Sequence, residues 1–191
     1  QLTTLASELY KGAIVKASNT ESGKLEGSLS TGVTVEGVDN FLIEASAGGN
    51  IGTQVAGTPF NIKITARNSV SATFTNYTGT NTISSASTMT SGAGPTAAFS
   101  SGVLSSHSVT LTRAGTYTLT TLSTTDPGTL GTSNSFVINP GAANSLTVFQ
   151  QPSTTATSGI QFVQQPVIYI YDAYGNHATN DNSTQVIVAV A

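Results

Sequence analysis

The sequence predicts an all-β chain of β-sandwich repeats, one complete and two partial, on three observations. Thr and Ser stand where charge is usual, apolar residues alternate with polar ones, and the chain repeats itself at a constant offset. Charged residues are 8% of the 191, against roughly a quarter in a typical soluble domain. Hydrophobic residues at 38% are too many for a disordered chain, which combines high charge with little apolar content. Thr is β-branched and suits a pleated, half-exposed surface, so a Thr-rich chain without long apolar helical stripes reads as all-β.

The strands of the central stretch follow in order. Phe41-Leu-Ile43 is a first strand, ended by Gly48-Gly49. In Phe60-Asn-Ile-Lys-Ile-Thr-Ala66, Phe60, Ile62, Ile64 and Ala66 face in, while Asn61, Lys63 and Thr65 face out. Residues 74–77 and 81–84 are weaker strands split by Thr78-Gly79, and residues 91–95 are a Gly/Ser/Pro loop. Val109 and Leu111 alternate with Ser108, Thr110 and Thr112, Arg113-Ala-Gly115 turns the chain, and Tyr117 and Leu119 continue. Asp126-Pro-Gly128 is a turn in which Pro fixes φ and Gly permits positive φ, and Phe136-Val-Ile138 closes the unit. Roughly seven strands in about a hundred residues fit an immunoglobulin-like sandwich.

The internal repeat sets the boundaries. Val38-Asp-Asn-Phe-Leu-Ile-Glu44 and Ala56-Gly-Thr-Pro-Phe60 are echoed by Ala143-Asn-Ser-Leu-Thr-Val-Phe149 and Ser158-Gly-Ile-Gln-Phe162, then by Pro166-Val-Ile-Tyr-Ile-Tyr171. Continued backwards, Leu5, Ala13 and Val15 fall on Val109, Tyr117 and Leu119, and residues 22–27 lie beside residues 127–131. Residues 1–37 are therefore expected to be the C-terminal part of a preceding repeat, 38–140 a complete sandwich, and 141–191 the N-terminal part of a following one. The join Asn139-Pro-Gly-Ala-Ala143 is short and carries Pro, which predicts units set end to end in a semi-rigid rod.

Ala56-Gly-Thr-Pro-Phe60, Pro140-Gly-Ala-Ala143 before a new strand, and Asp172-Ala-Tyr-Gly-Asn176 after its second strand resemble bacterial Ig-like repeats. The resemblance covers nearly the whole chain and implies a scaffold found in tandem in large secreted and cell-surface proteins. Residues 38–140 depart from the pattern at Arg67-Asn-Ser69, where the Asp-x-x-Gly-Asn turn is missing.

Asp172-Ala-Tyr-Gly-Asn176, with Asn180, Asp181 and Asn182, offers oxygens to a calcium ion, but its spacing matches no EF-hand and a β-turn is the reading adopted. His107 and His177 fall in different repeats without a carboxylate at a suggestive local spacing, so no catalytic residue is assigned and no enzyme is expected. Lys63, the Lys of residues 38–140, is read as an outward strand residue rather than as the amine of an isopeptide crosslink. Tyr169 and Tyr171 are read as buried, with sugar stacking as the alternative. Asn76-Tyr-Thr78 and Asn182-Ser-Thr184 match a glycosylation sequon. No metal ligand and no cofactor site is assigned.

A net charge of −3 gives no electrostatic reason for nucleic acid or an anionic membrane as partner. No apolar run approaches the ~18 residues of a membrane span, and Gln1-Leu-Thr-Thr4 lacks the basic start and apolar core of a secretory signal. The chain has no Cys, which is compatible with any compartment. A half-sandwich leaves its sheet uncovered, so the expected partners are flanking repeats of a longer array or neighbouring copies. The array is the favoured reading. In the sharper one, the head of one copy is completed by the tail of the next, giving a head-to-tail filament. Sequence thus points to an extracellular, structural stalk or filament, with an adhesin for a glycan or protein ligand, or spacer repeats of a larger secreted enzyme, as alternatives.

Overall fold

A computed structural model describes residues 14–15, 35–126 and 128–187. All regular structure among them is β, and no helix there is long and apolar enough to cross a membrane. β1 (Ile14–Val15) pairs antiparallel with β2 (Val35–Glu36). Leu5, Ala13 and residues 22–27, which carry much of the expected repeat in 1–37, lie outside the described residues.

The central stretch holds β3 (Asn40–Ala45), β4 (Gln54–Val55), β5 (Phe60–Arg67), β6 (Asn81–Ser85), β7 (Met89–Ser91) and β8 (Gly94–Pro95). It continues with β9 (Val103–Leu111), β10 (Gly115–Tyr117), β11 (Leu119–Ser123), β12 (Leu130–Thr132) and β13 (Phe136–Asn139). Beyond it, β14 (Ala143–Gln150) and β15 (Val167–Asp172) form a separate antiparallel pair. One four-stranded sheet has the order β3-β5-β9-β7 and another β12-β11-β6-β8, while β10-β13-β4 makes a third, with β13 and β4 parallel.

Period two builds the core. Ile62, Ile64 and Ala66 of β5 are fully buried, as are Val109 and Leu111 of β9, and they meet Ile83 of β6 and Leu119 of β11 in one cluster. Two antiparallel sheets burying their inner faces against each other is an arrangement consistent with a β-sandwich. At its front end Phe41, Tyr77 and Phe99 pack edge to face, with ring centroids 5.0 to 5.8 Å apart.

Two local expectations differ from the structure. Residues 74–77 are a turn, closed by the Tyr77 amide on the Phe74 carbonyl at 3.1 Å. Both rings are nonetheless buried, because a turn delivers residues three apart to the same side. The expected 91–95 loop instead contributes to β7 and holds β8, since Gly92 and Gly94 take positive φ and let the chain switch from one sheet to the other. Pro95 is tolerated because β8 lies at a sheet edge.

A buried polar network, invisible in the alternation, joins the sheet strands to the 74–77 turn. The Asn81 side chain, 0% exposed, accepts from the Tyr77 hydroxyl at 2.5 Å and donates to Thr121 Oγ1 at 2.9 Å. Tyr77 Oη also lies 2.9 Å from Ser123 Oγ. Groups satisfied this way are costly to strand. Asn81→Ala is expected to destabilise the fold by about 2–4 kcal/mol in urea unfolding; a loss below about 0.5 kcal/mol would contradict that role.

Candidate functional site

The side chains that do most beyond the core gather where residues 38–139 meet the β14–β15 hairpin. Three backbone segments end there: Ala56 and Gly57 after β4, Thr112 to Ala114 between β9 and β10, and the 139–141 link. They are already tied together, the Ala56 amide donating to Asn139 O at 2.9 Å and the Gly57 amide to Leu111 O at 2.8 Å. Onto this edge the 172–176 turn is set.

Asp172 organises the turn. It is 2% exposed, and its carboxylate receives four donors. Oδ1 accepts the amides of Tyr174 and Asn176, both at 2.8 Å. Oδ2 accepts the Gly141 amide at 2.8 Å and the Asn176 side-chain amide at 2.7 Å. Gly175, at φ 78°, supplies the positive φ that closes the loop. The expected β-turn is thus the observed local structure, and its carboxylate lone pairs are aimed at N–H donors.

Asn176 carries the link across. Its Nδ2 donates to Thr112 O at 2.8 Å, and its Oδ1 accepts the Ala114 amide at 2.8 Å, so one side chain pairs with a backbone acceptor and a backbone donor of the other unit. Tyr174 lies over Gly57, where a Cβ would run into the ring and where φ is 78°. Gly57 therefore answers two demands, a backbone turn and a flat seat for an aromatic ring. We call this arrangement the clamp.

The turn judged missing from residues 38–140 is present there in different residues. Asn68 Oδ1 accepts the amides of Val70 and Ala72 at 3.2 and 2.9 Å, and the Asn68 and Ser71 amides close on Ala72 O and Asn68 O. Ser71, at φ 63°, takes the place of Gly175. At the same offset, the isolated bridge of Arg67 with Thr73 matches that of Tyr171 with His177. The absence read from sequence is corrected: the Asn68 amide accepts as the Asp172 carboxylate does. What differs is the clamp, for Tyr174 and Asn176 are matched by Val70, 78% exposed, and Ala72.

Other candidates fall away from this edge. His107 Nε2 lies 2.9 Å from Gly92 O, while the His177 ring packs 4.4 Å from that of Tyr169. Lys63 pairs with Glu44 of the neighbouring strand at 2.9 Å, on the outward side as expected. Asp181 holds the 181–184 turn, its carboxyl drawn down to about 2 by hydrogen bonds from the Thr184 hydroxyl and the Ser183 and Thr184 amides. Asn76 and Asn182 of the sequons are exposed. Tyr169 and Tyr171, expected to be buried, are only half-buried. Gly57, Thr112 and Ala114 were missed because a seat for a partner has no signature until the partner's side chain is placed.

Fold and site together define an all-β chain in which the sheets of residues 38–139 hold the β14–β15 hairpin through the 172–176 turn. No family model and no curated protein matches it. Among solved structures it is similar to domains 4 and 5 of the S-layer protein SbsC, at 13% identity and a TM-score of 0.37, over 54% of this chain and 53% of that one. Domains 1–6 of SbsC match at 17% identity and a TM-score of 0.38, over 76% of this chain and 18% of that one. InvD of Yersinia pseudotuberculosis matches at 14% identity and a TM-score of 0.37, over 72% of this chain and 42% of that one. The chain spans about half the length of the first of these, 53%, and smaller shares of the others.

The clamp carries a pH signature. Burial pushes the Asp172 carboxyl up, but hydrogen bonds from the Asn176 side chain and the Gly141, Asn176 and Tyr174 amides outweigh it and hold the group below the ordinary 3.8. A carboxyl lowered on folding stabilises at every pH above its unfolded value, and that stabilisation is lost as pH falls through the folded one. The Gly141 and Ala114 amide resonances should therefore hold steady from neutral pH down to the ordinary aspartate value of 3.8 and move together below it. Movement near pH 6 would show that another group controls the junction.

Proposed function

We propose that the chain is a structural, extracellular segment built of Ig-like sandwich repeats and serving a cell-surface stalk. The observation that carries this reading is the clamp. Asn176 bonds Thr112 O and the Ala114 amide across the junction, and Asp172 holds the Asn176 side chain and the Gly141 link in place, so the swing of one unit on the next is restricted, which is what a stiff rod requires and a flexible tether does not. The matching 68–72 and 172–176 turns support the repeat. The low charge and the Thr/Ser surface suit an exposed scaffold more than a catalytic one, and no cluster of metal-binding side chains occurs among the described residues. Antibody raised against residues 38–140 should label intact cells of the source organism; antigen reached only after lysis would sink the proposal.

A second reading, the head-to-tail filament, is favoured by the inner face of the hairpin. Leu146 and Val148, 52% and 47% exposed, pair with Ile170 and Ile168, whereas the buried Phe41, Ile43, Ile64 and Ala66 hold that face in β3 and β5. Such a face calls for a cover, supplied by flanking chain in an array or by residues 1–36 of a second copy in a filament. Deleting residues 1–36 separates the two. A filament loses its polymers in light scattering while 38–140 stays folded; polymers that persist would remove the filament reading.

A further inference from the structure

The hairpin has a second uncovered face, and that one no completed sandwich would bury. Cross-strand partners share a side of a sheet. Thr147 and Tyr169, and Ser145 and Tyr171, therefore lie opposite the Leu146, Val148, Ile168 and Ile170 side. The matching turns align Tyr169 and Tyr171 with Thr65 and Arg67 of β5, which lie on the outward side of a strand paired on both edges. There the outward side is polar: Lys63 pairs with Glu44, and Arg67 Nε donates to Asn40 Oδ1 at 3.1 Å. On the hairpin it is aromatic.

The rings form a continuous ladder. Phe149, 64% exposed at a bulge of β14, stacks on Tyr169 with centroids 4.5 Å apart and planes 19° off parallel. Tyr169 lies 4.4 Å from His177, and Tyr171 packs 5.7 Å from His177 and 6.4 Å from Tyr169. The bulge puts Phe149 on this side, since Val148 and Gln150 pair with consecutive residues of β15. Ser145 and Thr147 add hydroxyls, and the set contains no carboxylate, Lys or Arg. The ladder ends at the clamp, because Tyr171 and His177 bracket the 172–176 turn. It is thus continuous with the junction and held on its rigid side.

We propose that Phe149, Tyr169, Tyr171 and His177 bind a neutral glycan chain. The C–H faces of a pyranose ring stack on aromatic rings, and the Tyr hydroxyls, the His177 imidazole and the Ser and Thr hydroxyls exchange hydrogen bonds with sugar hydroxyls. The absence of Asp, Glu, Lys and Arg from the ladder matches an uncharged ligand and disfavours an acidic or basic peptide, which would need partners for its charges. This site is independent of whether the protein is a stalk or a filament.

Native electrophoresis of the full chain in gels containing hydroxyethylcellulose, xylan or dextran tests the site. Retardation by at least one of these neutral polysaccharides is expected, weakened about tenfold by Tyr169→Ala and by Phe149→Ala, the size of a lost aromatic contact. Tyr169→Phe should keep most of it. Phe149 is largely exposed, so loss with Phe149→Ala reads the site and not the fold. Unchanged mobility in all three gels overturns the proposal, as does retardation that survives both alanine variants.

Discussion

A carboxylate withdrawn from water persists only where donors converge on it, and Asp172 sits where two units of the chain meet. Each donor it recruits fixes something. Tyr174 and Asn176 amides fix the turn, Gly141 fixes the link, and the Asn176 side chain is oriented to reach Thr112 and Ala114. Remove the charge and the turn loses its centre, the link its tether and Asn176 its orientation. The placement of the hairpin, and with it of both its uncovered faces, follows from this one buried group.

The parts of the fold that depend on alternation were legible in the sequence. Phe60 to Ala66 reads as a strand with one apolar side and is one, because burial on one face imposes period two. The Asp172-Ala-Tyr-Gly-Asn176 turn was legible too, since Asp and Gly are the residues such a turn asks for. The 68–72 turn was not, because Asn68 accepts the same two amides and Ser71 adopts a positive φ that sequence reading assigns to Gly. Nor was the Tyr77–Asn81–Thr121 network: buried polar residues among so many exposed Thr and Ser are distinguished only by their partners. Gly57 was noticed as a repeat marker, but its use as a seat for Tyr174 needed both units in place.

The two matched turns share a backbone and differ in use. Backbone geometry is kept, and the side chains leaving the turn differ. Tyr174 and Asn176 are seated and hydrogen-bonded against residues 57 and 112–114, whereas Val70 and Ala72, at the same positions of the other turn, are exposed. The aromatic ladder uses the outward positions of β15, which alternate with the apolar Ile168 and Ile170 and are free of the core's demands.

The most direct measurement is of residual dipolar couplings for backbone amides in the full chain, weakly aligned. If the clamp fixes the hairpin, a single alignment tensor fits residues 38–139 and the β14–β15 pair together. A hairpin that requires its own tensor of smaller magnitude would show that it swings freely, and the clamp would not be what holds the two units in register.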